Sequence, residues 1–181
     1  MNATDRARQY LTLAQLFSFP RPEVWQLLER DGVTPARSQD EREADYLAIF
    51  ELGGEQPAMP LYEGLCRPRD GREGILEDVM RFYEFFGVQI QEANRDYPDH
   101  LVTELEFMAF LCQREAAGKD VDSFRRASRD FLQRHLLAWA PGFAERLAGG
   151  KTAYGEIAQA LADFCQEHAD ELGEIKKGVL P

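Results

Sequence analysis

Positive charge is in short supply in this chain. It carries 21 lysines and arginines against 32 aspartates and glutamates, a formal net charge of −11. A balance of this sign argues against nucleic acid, because phosphate binding needs a basic patch, and against an anionic membrane surface. It can attract a basic partner, although acidity also serves solubility alone. Cysteine is scarce too. Cys66, Cys112 and Cys165 are odd in number, widely spaced and without a Cys-x-x-Cys pair. That excludes a disulfide framework and a zinc knuckle and fits three unpaired, packed thiols in a reducing cytoplasm. There is no apolar run long enough to cross a bilayer. Met1 to Phe19 bears Asp5, Arg6 and Arg8 and lacks the uninterrupted apolar core of a signal peptide. Alternating strand patterns, internal repeats and low-complexity tracts are absent as well.

Helical periodicity fills the space these absences leave. The 181 residues, 44% hydrophobic and with 12 Phe, 6 Tyr and 2 Trp, suit one all-α domain with an aromatic core. Thr4 or Asp5 is the expected cap of a first helix with Tyr10, Leu13, Ala14 and Phe17 inward. Pro22 is placed to open a second helix through Val24, Leu27 and Leu28, followed by a turn at Asp31-Gly32 and Pro35. Ser38 and Glu41 form a capping box at the head of a third helix, running to Leu52 and stopped by Gly53-Gly54. Gly53 to Gly74 reads as a long irregular stretch, a length that signals function or a hidden short element. Further helices are expected over Ile75–Phe86, Pro98–Ala117, Val121–Leu137, Pro141–Leu147 and Thr152–Glu171, with Gly149-Gly150 as a separator and a frayed tail from Gly173. The Gly118–Asp120 break divides a larger N-terminal part (about 1–117) from a smaller C-terminal part (about 121–181) and is a candidate hinge.

Tyr97 to Leu111, YPDHLVTELEFMAFL, is the richest segment. Pro98 suits a first helical turn, and Asp99 suits the positive end of the helix dipole. Leu101, Leu105, Met108 and Leu111 form an apolar stripe. His100, Glu104 and Phe107 form a second stripe beside it. The purely structural alternative has Asp99 as a dipole partner, His100 and Glu104 as an i,i+4 pair and Phe107 as core.

Three chemistries find little support. Di-iron bundles use Glu-x-x-His, but the residues three before His100, His135 and His168 are Tyr97, Leu132 and Cys165. His135 and His168 are expected to be exposed or locally bonded. Gly149-Gly150-Lys151-Thr152 mimics the end of a phosphate loop, but Glu145 stands where the loop's first Gly belongs and the preceding segment is helical. No nucleophile motif occurs. No metal, cofactor or catalytic residue is therefore expected.

The same segment resembles the signature of the TorD/DmsD/NarJ family of redox-enzyme maturation chaperones: Pro98-Asp99-His100, then Glu104-Leu105-Glu106-Phe107. Tyr46-Leu47-Ala48-Ile49-Phe50 is similar to the family's aromatic helix. Pro60-Leu61-Tyr62-Glu63 is similar to its Pro-x-Tyr-Glu turn, with Gly64 where members often carry Ser. Val79–Gly87 and Phe131–Leu147 are similar to its later helices. The resemblance implies a cytoplasmic chaperone, not an enzyme. Such a protein binds the N-terminal leader, or the apo form, of a molybdenum oxidoreductase catalytic subunit until cofactor insertion, before assembly or twin-arginine export. It implies Asp99, His100, Glu104 and Phe107 as leader-binding residues, with Tyr62 and Glu63 as further candidates and Phe50 as core. Asp99 and Glu104 would pair with leader arginines. The closest branch serves periplasmic enzymes acting on dimethyl sulfide, selenate, chlorate or ethylbenzene, with a nitrate-reductase chaperone as competitor. The state would be a monomer or a domain-swapped dimer. From another class, a helical small-molecule-binding regulator, or an acid–base enzyme using Asp99 and His100, stays open.

Overall fold

The computed structural model describes residues 1–30, 32, 37–52, 59–89, 97–149 and 152–174. The expected turn at Asp31 and Pro35, the stop at Gly53-Gly54, the separator residue Gly150 and the tail from 175 onward lie outside them.

Helix α1 (Ala3–Phe17) is capped by Asn2, whose side chain accepts from the Asp5 amide. The cap lies two residues before Thr4, the earlier of the two expected caps, because Asn at this position reaches the orphan N–H groups of the first turn. Tyr10, Leu13, Ala14 and Phe17 are buried as the spacing predicts. In α2 (Pro22–Arg30) only Leu28 is buried, while Leu27 stays exposed. Helix α3 (Gln39–Tyr46) opens with the Ser38–Glu41 capping box. It does not run on as α-helix: Leu47–Glu51 is a π-helical turn, closed by the Leu52 amide on the Leu47 carbonyl at 2.7 Å. Such turns are rare and concentrate at functional sites.

The irregular stretch hides a short element, α4 (Glu63–Cys66). Helix α5 (Arg72–Phe85) begins three residues earlier than its apolar periodicity shows and stops at Gly87, whose φ of 67° favours glycine. Helix α6 (Leu101–Ala116) is the central helix, and both of its stripes are buried. Helix α7 (Val121–Arg134) ends at His135, where the backbone turns to φ −116°, ψ −91°. Helix α8 (Leu136–Ala148) starts there and carries Pro141 inside it. The expected single helix to Leu137 and the helix start at Pro141 are thus both displaced. The helix tolerates Pro141 at the loss of the bond to the Leu137 carbonyl. Helix α9 runs Ala153–Glu174, so Gly173 is still helical. Among the described residues there is no named strand, and no helix is long and apolar enough to cross a membrane.

Helix α1 lies along α6, α8 along α9, and α7 bridges α6 to α9. Two aromatic clusters fill the interior. Phe50 packs on Tyr154 and Tyr46, with ring centroids 4.8 and 5.1 Å away. Phe107 packs on Tyr83 and Phe131 at 4.8 and 4.9 Å. A buried ion network clips the far end: Arg6 meets Glu115 and Glu171, each at 2.9 Å, and Arg125 meets Glu115 at 2.7 Å. All three thiols are free. Burial pushes the Cys112 thiol up to about 12 and raises that of Cys165 as well, so neither is a reactive thiolate.

Candidate functional site

Two motifs far apart in the chain meet as a minimal antiparallel pair. The Leu101 amide donates to the Leu61 carbonyl at 2.8 Å and the Glu63 amide to the Asp99 carbonyl at 2.9 Å, around a Tyr62–His100 bridge. The Pro60-Leu61-Tyr62-Glu63 and Pro98-Asp99-His100 segments are therefore one structural unit. It seats the N-termini of α4 and α6 side by side.

Helix α6 begins at Leu101, three residues later than Pro98. His100 is its N-cap, with extended backbone, and its Nδ1 accepts from the Val102 amide at 3.3 Å. Asp99 is consequently not in the first turn of α6. Its Oδ2 accepts from the Gly64 amide at 3.0 Å, in the first turn of α4, with Arg72 Nε at 3.9 Å. The acid thus serves a helix N-terminus, but the neighbouring one. A Cβ at Gly64 would fall 3.0 Å from Asp99 Oδ2 and 2.5 Å from Arg72 Cγ, so the close approach needs glycine.

Beneath this unit lies a buried polar cluster. Glu63, Asp99 and Glu104 are inaccessible to solvent. Glu63 is held on one oxygen by Arg67 and on the other by His135 Nδ1 at 2.8 Å. His135 Nε2 lies 3.2 Å from Asp78 Oδ2, and Arg134 reaches Asp78 at 2.5 Å. Trp139 Nε1 donates to Glu104 Oε2 at 3.3 Å. Burial, reinforced by the neighbouring Glu63 carboxylate, pushes the Glu104 carboxyl well above its usual range. Two carboxylates cannot share a dry site at full charge, so the protonated form of Glu104 is favoured. Burial also raises Asp99, against the opposing pull of the Gly64 amide and Arg72. Phe107 sits one turn below Glu104 in the aromatic core. Among the described residues, no group of three or more His, Cys, Asp and Glu could hold a metal.

The accessible part of the unit is a groove of about 510 Å³ on its outer side. Phe19, Val24, Tyr46 and Leu47 supply apolar wall, Tyr62, His100 and Val102 the floor, and Glu51, Glu106 and Arg21 the charge. Tyr62 and His100 rings stand edge to face at 4.9 Å. The π-helical turn brings Glu51 to the rim. Of the residues read from the sequence, Tyr62 and His100 reach the groove, while Glu63, Asp99, Glu104 and Phe107 lie behind it.

Reading the sequence missed His135, Trp139 and Asp78. His135 and His168 are both buried rather than exposed, and their partners Glu63 and Tyr10 are distant in the chain. The available signal was the i,i+4 spacing of His135 and Trp139 within an apolar run, two polar-tipped groups on a face that packing alone would fill with Leu or Phe.

Comparison with known proteins agrees with this architecture. The family model described as nitrate reductase delta subunit matches residues 9–145. The selenate reductase assembly chaperone protein of Thauera selenatis is 50% identical over 178 residues, 96% of this chain and 92% of that protein. The chlorate reductase assembly chaperone protein of Ideonella dechloratans is 46% identical over the same shares. A crystal structure of a putative redox enzyme maturation protein from Archaeoglobus fulgidus superposes with a TM-score of 0.64 at 16% identity, covering 88% of this chain and 93% of that one. At that identity the likeness concerns the fold.

Proposed function

The chain belongs to the nitrate reductase delta subunit family, and from that premise we propose that it is a cytoplasmic assembly chaperone for the catalytic subunit of a molybdenum-containing oxidoreductase. It holds that subunit for cofactor insertion and engages its N-terminal leader in the Tyr62–His100 groove. It is a binding protein, not a catalyst: its near-full-length relatives are named assembly chaperones. Their likeness supports a client of the selenate or chlorate reductase type over a nitrate reductase.

The observation that carries the proposal is the bonding of the two motifs into one unit at the floor of an open groove. Apolar leader side chains would lie against Phe19, Tyr46 and Tyr62, as an amphipathic helix does in a groove. Leader arginines would meet Glu51 and Glu106 on the rim, in charge-assisted contacts that discriminate by geometry. Asp99, Glu104, Glu63 and Phe107 act from below. Buried as they are, they hold the bridge that presents Tyr62 and His100. The Gly118–Asp120 turn, with positive φ at Gly118 and Asp120, is the proposed hinge for exchanging α7–α9 in a swapped dimer.

The test is affinity capture of the tagged chain from anaerobically grown cells. Wild type should retain a large molybdoenzyme subunit, and Tyr62→Ala/His100→Ala and Glu51→Ala/Glu106→Ala should lose it. Retention by both double variants would move the leader site elsewhere. Absence of any such subunit while one is expressed would remove the chaperone role proposed here.

A further inference from the structure

On a different face, helices α5 and α7 border a second groove of about 540 Å³ that shares no lining residue with the first. Its apolar part is aromatic. Phe82 and Phe86 are half-buried, and Phe85 is 78% exposed, the most exposed of the large hydrophobic side chains among the described residues. Phe85 and Phe86 pack edge to face at 4.9 Å. Among the described residues, this solvated aromatic on a helix that buries its other face is an apolar surface without a cover.

The charge around it runs against the rest of the chain. Arg81, Arg126 and Arg134 line the groove with two acids, Asp78 and Asp130, on a chain whose acids outnumber its bases 32 to 21. Both acids are already engaged. Asp78 faces Arg134 at 2.5 Å and His135 at 3.2 Å, and Asp130 faces Arg129 at 2.8 Å. Arg134 lies over the Phe82 ring at 5.4 Å. Among the described residues, Arg81 has only a loose surface contact with Glu77 at 3.5 Å, of the kind that contributes little. An incoming partner therefore meets guanidinium groups on the rim and aromatic rings at the centre.

We infer that the α5–α7 groove is a second docking surface, and that it takes an acidic amphipathic helix from a partner protein, with the apolar face of that helix against Phe85 and its carboxylates on Arg81 and Arg126. A small anion is disfavoured because the groove is open and its centre is aromatic. A second copy of the chain would bring a net charge of −11 against another of −11, a repulsion that only a local match could offset. The surface is independent of the leader groove, so it would let the chain hold two segments at once, with the gain in avidity that tethering brings.

The probe is a pair of helix-favouring peptides of identical apolar pattern, one with Glu and Asp on its polar face and one with Lys. Binding to the full-length chain is read by fluorescence anisotropy. The acidic peptide should bind. Phe85→Ser and Arg126→Glu should each weaken it at least ten-fold, and Tyr62→Ala should leave it unchanged. Both substitutions are on exposed residues, and circular dichroism checks that they fold. Equal binding of the two peptides, binding that survives both variants, or no binding of the acidic peptide would overturn the inference. So would a dimer in sedimentation velocity that Phe85→Ser converts to monomer, because the groove would then belong to a second copy.

Discussion

His135 Nδ1 lies 2.8 Å from Glu63 Oε2, across 72 residues of chain and with both side chains buried. The contact joins the α7–α8 break to the first residue of α4, and the other ring nitrogen, Nε2, lies 3.2 Å from Asp78 of α5. One side chain thus ties three elements behind the Tyr62–His100 unit.

Removing it should be costly. His135→Ala leaves Glu63 with Arg67 alone in a dry site, and deleting one partner of a buried hydrogen bond costs about 1–3 kcal/mol. Arg134→Ala removes a half-exposed partner of the same Asp78 and should cost about 1 kcal/mol or less. Urea unfolding of the two variants beside wild type measures both. Equal losses would show that the His135 link carries no special weight.

Glu104→Gln should be tolerated, because the amide is uncharged like the form that burial favours and keeps an acceptor for Trp139. Below the ordinary carboxyl range, where the position is uncharged in both states, the change in stability should stay within about 1 kcal/mol. The pH profile should differ more. In the folded chain Glu104 keeps a proton that the unfolded chain has released, so wild-type stability falls as pH rises from the ordinary carboxyl range toward the raised folded value. Glu104→Gln removes that slope. Denaturation midpoints between pH 5 and pH 8 would detect it; identical slopes would mean Glu104 is ionised.

Acid should destabilise the chain through His168. Burial lowers its imidazole from 6.5 to about 3, while its ring nitrogen pairs with the Tyr10 hydroxyl at 2.8 Å. As pH falls below 6.5 the unfolded chain takes up a proton that the folded chain refuses, and stability is lost progressively down to about 3. His168→Gln should flatten this limb of the curve. An unchanged limb would assign acid sensitivity to other groups.

Gly64→Ala should cost about 1–3 kcal/mol, because the new Cβ falls on Arg72 Cγ. Arg72→Ala should relieve part of that loss, so the double variant should be more stable than the sum of the singles by about 0.5 kcal/mol or more. Strict additivity in thermal melts would place the constraint on Asp99 instead.

Much of this protein was legible from local pattern. Helix content, the Ser38–Glu41 box, the inward face of α1 and the aromatic core follow from residue spacing, because a helix buries whatever recurs every three to four positions. The Pro-x-Tyr-Glu and Pro-Asp-His motifs were visible as separate segments. Tertiary structure alone decided that they bond to each other, that Asp99 serves the Gly64 amide rather than its own helix, and that His135 and His168 are buried against partners far along the chain. It also decided that α6 is enclosed on both stripes, so that Glu104 is a buried carboxyl whose protonated form is favoured. Hydrophobic periodicity reports which side of a helix faces inward. It carries no information on what stands opposite, and it is the opposite side chain that sets a buried group's charge and its role.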